Sequence, residues 1–270
     1  MPHTVVITHA VRTPIGKYLG SLKGLRAPEL GALAIKGLLD KAGIDPKLVT
    51  ETFFGEGRQA GSGPNPARQC AIKAGIPDTA PAYTINQACA SGLRSIIEAA
   101  QSIALGHNEV AVAGGVESMS NMPYMITDMR DGLRLGHAKL VDAMYQDGFQ
   151  CPLANQLMGE TAETLAKQHS ISRQEQDQFA LGSQQKAEAA RAAGRFEDEV
   201  ITIELKDRKG NSTPFRLDEH AKGDTTVESL AKLPPAFSKE GSITPGNASG
   251  ITDGAAALLL MTESKAKTLG

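Results

Sequence analysis

Two unbroken apolar runs, Val110-Ala111-Val112-Ala113 and Ala255-Ala256-Ala257-Leu258-Leu259-Leu260-Met261, set the strongest limit on this chain. Neither alternates apolar with polar residues, and both have strand length, so each reads as a strand covered on both faces. Shorter strands are expected at Thr4–Thr8, Glu51–Gly55 and Ala82–Ile85. Helices are expected at Glu29–Gly43, with Gly43 as stop signal, and at Asn65–Gly75, with Asn65 as cap and Pro66 in its first turn. Strands that alternate with helices imply βαβ units and a mainly parallel sheet. Aromatic residues make up 4% of the chain, tryptophan is absent and there are 28 glycines, which suits helices packed closely on a sheet better than a β-sandwich. The fold class is therefore α/β. Gly61-Ser62-Gly63 and Gly114-Gly115 lack P-loop or dinucleotide spacing and read as turns.

From Gly115 to about Asn247 the pattern becomes polar and irregular. Ser172-Arg173-Gln174-Glu175 is a capping box opening a helix to about Ala193, and a hairpin is expected around Lys209-Gly210, between Val200–Leu205 and Phe215–Leu217. The core pattern returns from Gly250. The middle thus reads as an insertion over residues 119–249 into an α/β core made of residues 1–118 and 250–270.

The chemistry centres on Cys89, in Asn86-Gln87-Ala88-Cys89-Ala90-Ser91-Gly92, between the strand Ala82–Ile85 and a helix whose stripe is Leu93, Ile96, Ile97, Ala100 and Ala104. A thiol at a helix start faces free N–H groups and the positive end of the dipole. Such sites lower a cysteine pKa from ~8.5 into the range ~3.5–7.5. The plainer reading is that a lone cysteine in apolar surroundings is a small buried hydrophobe. Cys70, inside a helical run, and Cys151, before Pro152 in a polar loop, have no comparable setting.

Partners are bounded by charge and composition. With 28 basic and 30 acidic residues the net charge is −2, which argues against binding to nucleic acid. Three cysteines without paired spacing fit a reducing compartment, and the opening segment from Met1 to Thr8 has neither the basic leader nor the apolar core of a signal peptide. No apolar run approaches the ~20 residues that span a bilayer. A cytoplasmic protein with no membrane partner is the expectation. No metal is expected either, since Cys70, Cys89 and the scattered histidines show no ligand-like short interval.

Eight blocks in order resemble the thiolase family, the acyl-CoA acyltransferases that include acetyl-CoA acetyltransferases and 3-ketoacyl-CoA thiolases. They are Arg12–Lys17, Gly63–Gln69, Asn86–Gly92, Ala113–Ser120, Met158–Glu163, Ser172–Asp177, Lys232–Phe237 and Gly246–Ala256. The resemblance implies a thiolase-like layered fold, with a mainly parallel mixed sheet flanked by helices and an inserted α+β loop domain that holds coenzyme A. It implies that Cys89 takes an acyl group as a thioester, for Claisen condensation of acetyl-CoA or thiolysis of a 3-ketoacyl-CoA in fatty acid metabolism. No cofactor is expected beyond coenzyme A thioesters as substrates. Ser249 is implied to touch the pantetheine arm, with Ser229 and Lys222 near the nucleotide. Two positions depart from the family: Leu157 stands where many members have histidine, and Lys222 where they have arginine, without the planar fork. Members self-associate, so a homo-oligomer is implied.

The family's second half carries Asn-Glu-Ala-Phe, Gly-His-Pro and Cys-x-Gly segments, and none occurs among these 270 residues. The expectation is therefore the N-terminal part of such an enzyme, or one chain of a split enzyme whose partner is a separate C-terminal half. Alone it would be acylated slowly at Cys89, would not run condensation, and would expose apolar surface. The alternatives are a non-catalytic CoA-binding or assembly module, a cysteine hydrolase lacking any evident histidine partner, and a decarboxylating ketosynthase disfavoured by the loop-domain blocks.

Overall fold

The computed structural model describes residues 3–207 and 209–270, so the first two residues of the opening segment lie outside it. In chain order the strands are β1 (Val5–Arg12), β2 (Gly16–Lys17), β3 (Glu51–Gly55), β4 (Ala82–Ile85), β5 (Val110–Ser118), β6 (Tyr124–Met125), β7 (Val141–Asp142), β8 (Gln150–Cys151), β9 (Gln156–Leu157), β10 (Ile203–Lys206), β11 (Ser212–Phe215) and β12 (Thr252–Thr262). The α-helices are α1 (Ala27–Ala42), α2 (Pro66–Lys73), α3 (Ser91–Ala104), α4 (Met158–Gln168), α5 (Arg173–Ala192), α6 (Val227–Ala231) and α7 (Glu263–Leu269). They form two compact units: Met1–Asn121 with Asp198–Glu219 and Thr252–Gly270, and Met122–Glu197 with His220–Ile251.

The first unit is built on a six-stranded sheet of order β1-β12-β5-β3-β4, with β2 on β12. β3 is parallel to β4 and β5, while β12 is antiparallel to β1, β2 and β5. Every strand of this sheet but β12 therefore points the same way; the mixed α/β sheet expected from the sequence is present, but because β12 lies inside it three of the five pairings are antiparallel. Side-chain alternation divides the core into two layers. Phe54, Val110, Val112, Leu259 and Met261 pack with Leu30, Ile35 and Leu38 of α1 and Cys70 of α2. Phe53, Ala111, Ala113 and Leu260 pack with Ala99 and Ile103 of α3. Neighbours in sequence thus serve opposite faces, which is why the two apolar runs cannot alternate with polar residues.

Three sequence expectations are corrected here. Gly114-Gly115 is no turn but part of β5. A Cβ on Gly114 would lie 2.1 Å from the carbonyl oxygen of Ala256, and one on Gly115 3.0 Å from that of Gly55, so the glycines let the neighbouring strands close. The insertion is interrupted: Asp198–Glu219 belongs to the first unit. Arg12 explains why, because its Nη1 and Nη2 donate to Asp218 at 2.8 and 3.0 Å and its Nε to Glu199 at 2.7 Å, while Ile203 is fully buried. The first unit also runs on to Asn121, whose Nδ2 donates to the Leu25 carbonyl at 3.0 Å. Finally, α3 is rotated from the face its apolar stripe suggests. It buries Ser91, Ser95, Ala99 and Ile103, whereas Leu93, Ile97 and Leu105 are 65, 39 and 71% exposed. Small residues allow the helix to approach the sheet, and the larger aliphatics face outward, as expected for exposed apolar surface.

The second unit rests on polar clasps around a small core. Arg173, in the first turn of α5, pairs with Asp177 at 2.7 Å and donates to the carbonyls of Leu230 and Leu233 at 2.7 and 3.0 Å. Asp177 also accepts from Asn247 Nδ2 at 2.9 Å, and the Glu163 carboxylate accepts the backbone N–H groups of Ser242 and Ile243. The ring of Phe237 lies where a Cβ on Gly159 would be, 2.2 Å from that position, so α4 accepts the ring only through a glycine. Among the described residues no helix is long and apolar enough to cross a membrane.

Candidate active site

The parallel strands β3, β4 and β5 end at one edge of the sheet, where Gly55 stands in register with Ile85 and with Gly115. Everything that surrounds Cys89 leaves from that edge. β4 ends at Ile85 and α3 begins at Ser91, leaving five residues to reverse the chain. Ala88 takes a left-handed conformation with φ +49°, uncommon for a residue bearing a Cβ. The amides of Ala90 and Ser91 donate to the carbonyls of Gln87 and Ala88, both at 3.1 Å, and the Ser91 hydroxyl accepts from the Gln87 amide at 2.9 Å. This compact turn presents Cys89 to solvent one residue before the helix cap Ala90. Strained backbone immediately before an exposed nucleophilic side chain is a recurrent arrangement at catalytic sites.

Glycines make the edge compact. A Cβ on Gly55 would sit 2.5 Å from the backbone carbon of Ser91. The start of α3 therefore lies directly against the end of β3. Ser95 fastens the same turn from beneath. Its hydroxyl lies 2.7 Å from the carbonyl oxygens of Gly92 and Gly114.

Two carboxyl groups adjoin the turn, Glu56 buried and Glu117 half-buried. Glu117 Oε2 accepts the Gly57 amide at 3.2 Å and Oε1 accepts that of Arg58 at 3.0 Å. Burial pushes the Glu117 carboxyl above its usual range, against the pull of those two amides. Glu56 is 1% exposed; its Oε1 accepts from the Ser62 hydroxyl at 2.5 Å, while its Oε2 has no hydrogen-bond partner. Burial, with repulsion from Glu117, raises its pKa to about 7 despite the bond from Ser62. Cys70 is fully buried on α2 and is pushed up to about 12 by burial and by the nearby charges of Glu56 and Glu29. It is a core residue, as its position inside a helical run implied.

Glu56, Glu117 and Asn86 were not singled out from the sequence. The readable signal was position: both carboxylates lie at the carboxyl ends of strands buried on both faces, where polar residues serve sites more often than cores.

The residues expected to meet coenzyme A are all exposed and all in the second unit. Ser229 is occupied locally: its amide donates to Thr226 Oγ1 at 3.1 Å and its hydroxyl accepts from the Thr226 amide at 3.0 Å, so it closes the cap of α6. The amide of Lys222 donates to Gln184 Oε1 at 2.8 Å, leaving its side chain toward solvent. Ser249 precedes Gly250, and a Cβ there would collide with the His220 ring at 2.0 Å, so the imidazole lies flat against that backbone. Leu157 caps α4 through its backbone only, donating to Glu160 Oε2 at 2.6 Å. Cys89 belongs to the first unit. Among the described residues no three His, Cys, Asp or Glu side chains gather as a metal cluster would require.

Comparison with known proteins gives a consistent picture. The family profile described as thiolase, N-terminal domain, matches residues 5–264. An acetyl-CoA acetyltransferase of Pseudomonas aeruginosa is 53% identical over 98% of this chain, which spans 68% of that protein. One from Cupriavidus necator is 49% identical with the same coverage. Among solved structures, the acetyl-CoA acetyltransferase of Bacillus anthracis superposes with a TM-score of 0.95 at 44% identity, over 100% of this chain and 68% of that one. Human mitochondrial 3-ketoacyl-CoA thiolase superposes at 0.93 with 40% identity, over 98% of this chain and 67% of that one.

Proposed function

The chain belongs to the thiolase family, and from that premise we propose that it carries the nucleophile-bearing part of an acyl-CoA C-acyltransferase in which Cys89 forms the acyl-enzyme. The single observation behind this assignment is the turn itself: an exposed cysteine directly after a left-handed alanine, at the carboxyl edge of parallel strands. In the first half-reaction the Cys89 thiolate adds to the thioester carbonyl of an acyl-CoA. The new S–C bond forms, the tetrahedral oxyanion collapses, and coenzyme A leaves as its thiolate. The backbone N–H of Cys89 itself is the donor this chain offers to that oxyanion. The acyl group then passes to a carbon nucleophile in condensation, or to a thiol in thiolysis.

Lys222, Ser229 and Ser249 are the proposed contacts for coenzyme A in the second unit. The side chain of Lys222 offers a point charge to a phosphate rather than the bidentate grip of an arginine. On this reading the substrates are acyl-CoA thioesters and the setting is a reducing, cytoplasmic one. The partners are further copies of the chain and a C-terminal thiolase half.

Incubation with acetyl-CoA followed by peptide mass analysis tests the assignment. Acetylation confined to Cys89, absent in Cys89→Ala, is the expected result. Label on Cys151 alone, or none even after a C-terminal thiolase half is supplied, rejects it. Coenzyme A binding without any acylation would favour the non-catalytic module.

A further inference from the structure

Three hydrogen-bonded steps connect a half-buried carboxyl group to the residue before the nucleophile. Glu117, at the end of β5, holds the adjacent amides of Gly57 and Arg58, one on each oxygen. The carbonyl of Gly57 accepts from Asn86 Nδ2 at 3.1 Å. Asn86 Oδ1 then accepts the Ala88 amide at 3.0 Å. Gly57 is enclosed on both sides, since a Cβ there would stand 3.1 Å from Glu117 Oε2 and 3.2 Å from the Ala88 carbonyl oxygen. The brace thus reaches, without a gap, from the core of the sheet to the one strained residue of the turn.

We propose that Glu117 is a positioning residue for Cys89, acting through Gly57 and Asn86 to hold Ala88 in its left-handed conformation. This rests on the reading of Cys89 as the acyl-accepting nucleophile and deepens it. The physical case has two parts. A left-handed alanine persists only where its surroundings over-determine it: here Ser91 holds its carbonyl and Asn86 holds its amide. Asn86 in turn needs a fixed carbonyl to donate to. Gly57 supplies one because its own amide and that of Arg58 are each held by one oxygen of the Glu117 carboxyl group. The hydrogen bonds of Glu117 run to Gly57 and Arg58 and not to Cys89, so its influence is on the geometry of attack.

The test uses the whole chain and three variants: Glu117→Gln, Asn86→Ala and the double variant. Gln keeps the size of Glu117 but turns an N–H₂ toward one of the two amides it must accept. Rates of acetyl-Cys89 formation from acetyl-CoA are measured beside amide hydrogen exchange over residues 86–92 and the melting temperature. Each single variant is expected to slow acylation roughly tenfold or more, as small misplacements of reacting groups do. Exchange over 86–92 should rise in both. The double variant should be no slower than the slower single one, because both remove the same brace. Wild-type rates and exchange in folded variants, or losses that simply multiply in the double variant, overturn the proposal. Should the unaltered chain take no acetyl group even with a C-terminal thiolase half supplied, the assignment of Cys89 fails, and the exchange data alone decide whether the brace exists.

Discussion

The hydroxyl of Ser95 accepts the amide hydrogen of Gly114 at 2.9 Å, in the interior between α3 and β5. A helix side chain thereby completes a strand whose glycines have no side chains of their own to pack. Ser95→Ala removes that bond together with those of the hydroxyl to the Gly92 and Gly114 carbonyls, with an expected loss of about 1–3 kcal/mol. Urea unfolding checks it: the midpoint should fall with an unchanged slope.

Glu56 predicts a pH dependence. Its folded pKa, about 7, exceeds the ordinary carboxylate value of 4.5, so the folded state holds the proton more tightly than the unfolded chain. The contribution of this group to stability is therefore fully present below pH 4.5 and is lost as pH rises through about 7. Glu56→Gln stays neutral throughout. It should match the parent near pH 5 and exceed it at pH 8, by at most roughly 3 kcal/mol. Chemical unfolding at the two pH values reads the difference, and an equal offset at both would contradict it.

Gly31 and Cys70 predict a coupled pair. A Cβ at Gly31 would stand 2.5 Å from Cys70 Sγ and 3.1 Å from Phe54 Cε1. Gly31→Ala is expected to cost about 1–3 kcal/mol by overpacking. Cys70→Ala removes the nearer obstacle, so the double variant should lose less than the two single losses added together. A double-mutant cycle on melting temperatures measures the coupling.

Ala88 predicts opposite outcomes for two substitutions. With φ at +49°, Ala88→Gly relieves strain and should raise stability by up to about 1 kcal/mol with Cys89 labelling by iodoacetamide retained. Ala88→Val places a β-branched side chain where it fits worst. It should destabilise the chain and slow labelling at Cys89 relative to Cys151.

Much of the architecture was legible because local rules and tertiary packing agreed. Ala82–Ile85 is a strand with the predicted bounds, and the Ser172 capping box opens a helix from Arg173 as its spacing required. The strand preference of Val110–Ala113 was clear, yet its continuation through Gly114-Gly115 was not, because glycine signals a turn locally and a close approach only in three dimensions. The stripe on α3 was legible only in part: Ile96 and Ala100 pack against the core, while Leu93 and Ile97 face outward, since which face a helix buries depends on the size of what it meets. Cys89 could be singled out from its strand-to-helix position. Its brace could not, because Glu117, Gly57 and Asn86 are brought together only by the register of three parallel strands.

Strand β12 pairs on one side with β1 and on the other with β5, although 133 residues separate Ser118 from Thr252 minus the strand ends themselves. On a ribosome, the middle of the sheet is thus the last part to be made. Until residues 252–262 emerge, β1 has no neighbour in the sheet and must wait through the synthesis of everything between. Closure of so long a loop is slow compared with local pairing. A nascent chain of this kind holds an open seam beside β5 from the completion of Ser118 until residues 252–262 are made, which is the interval when chaperone protection matters most.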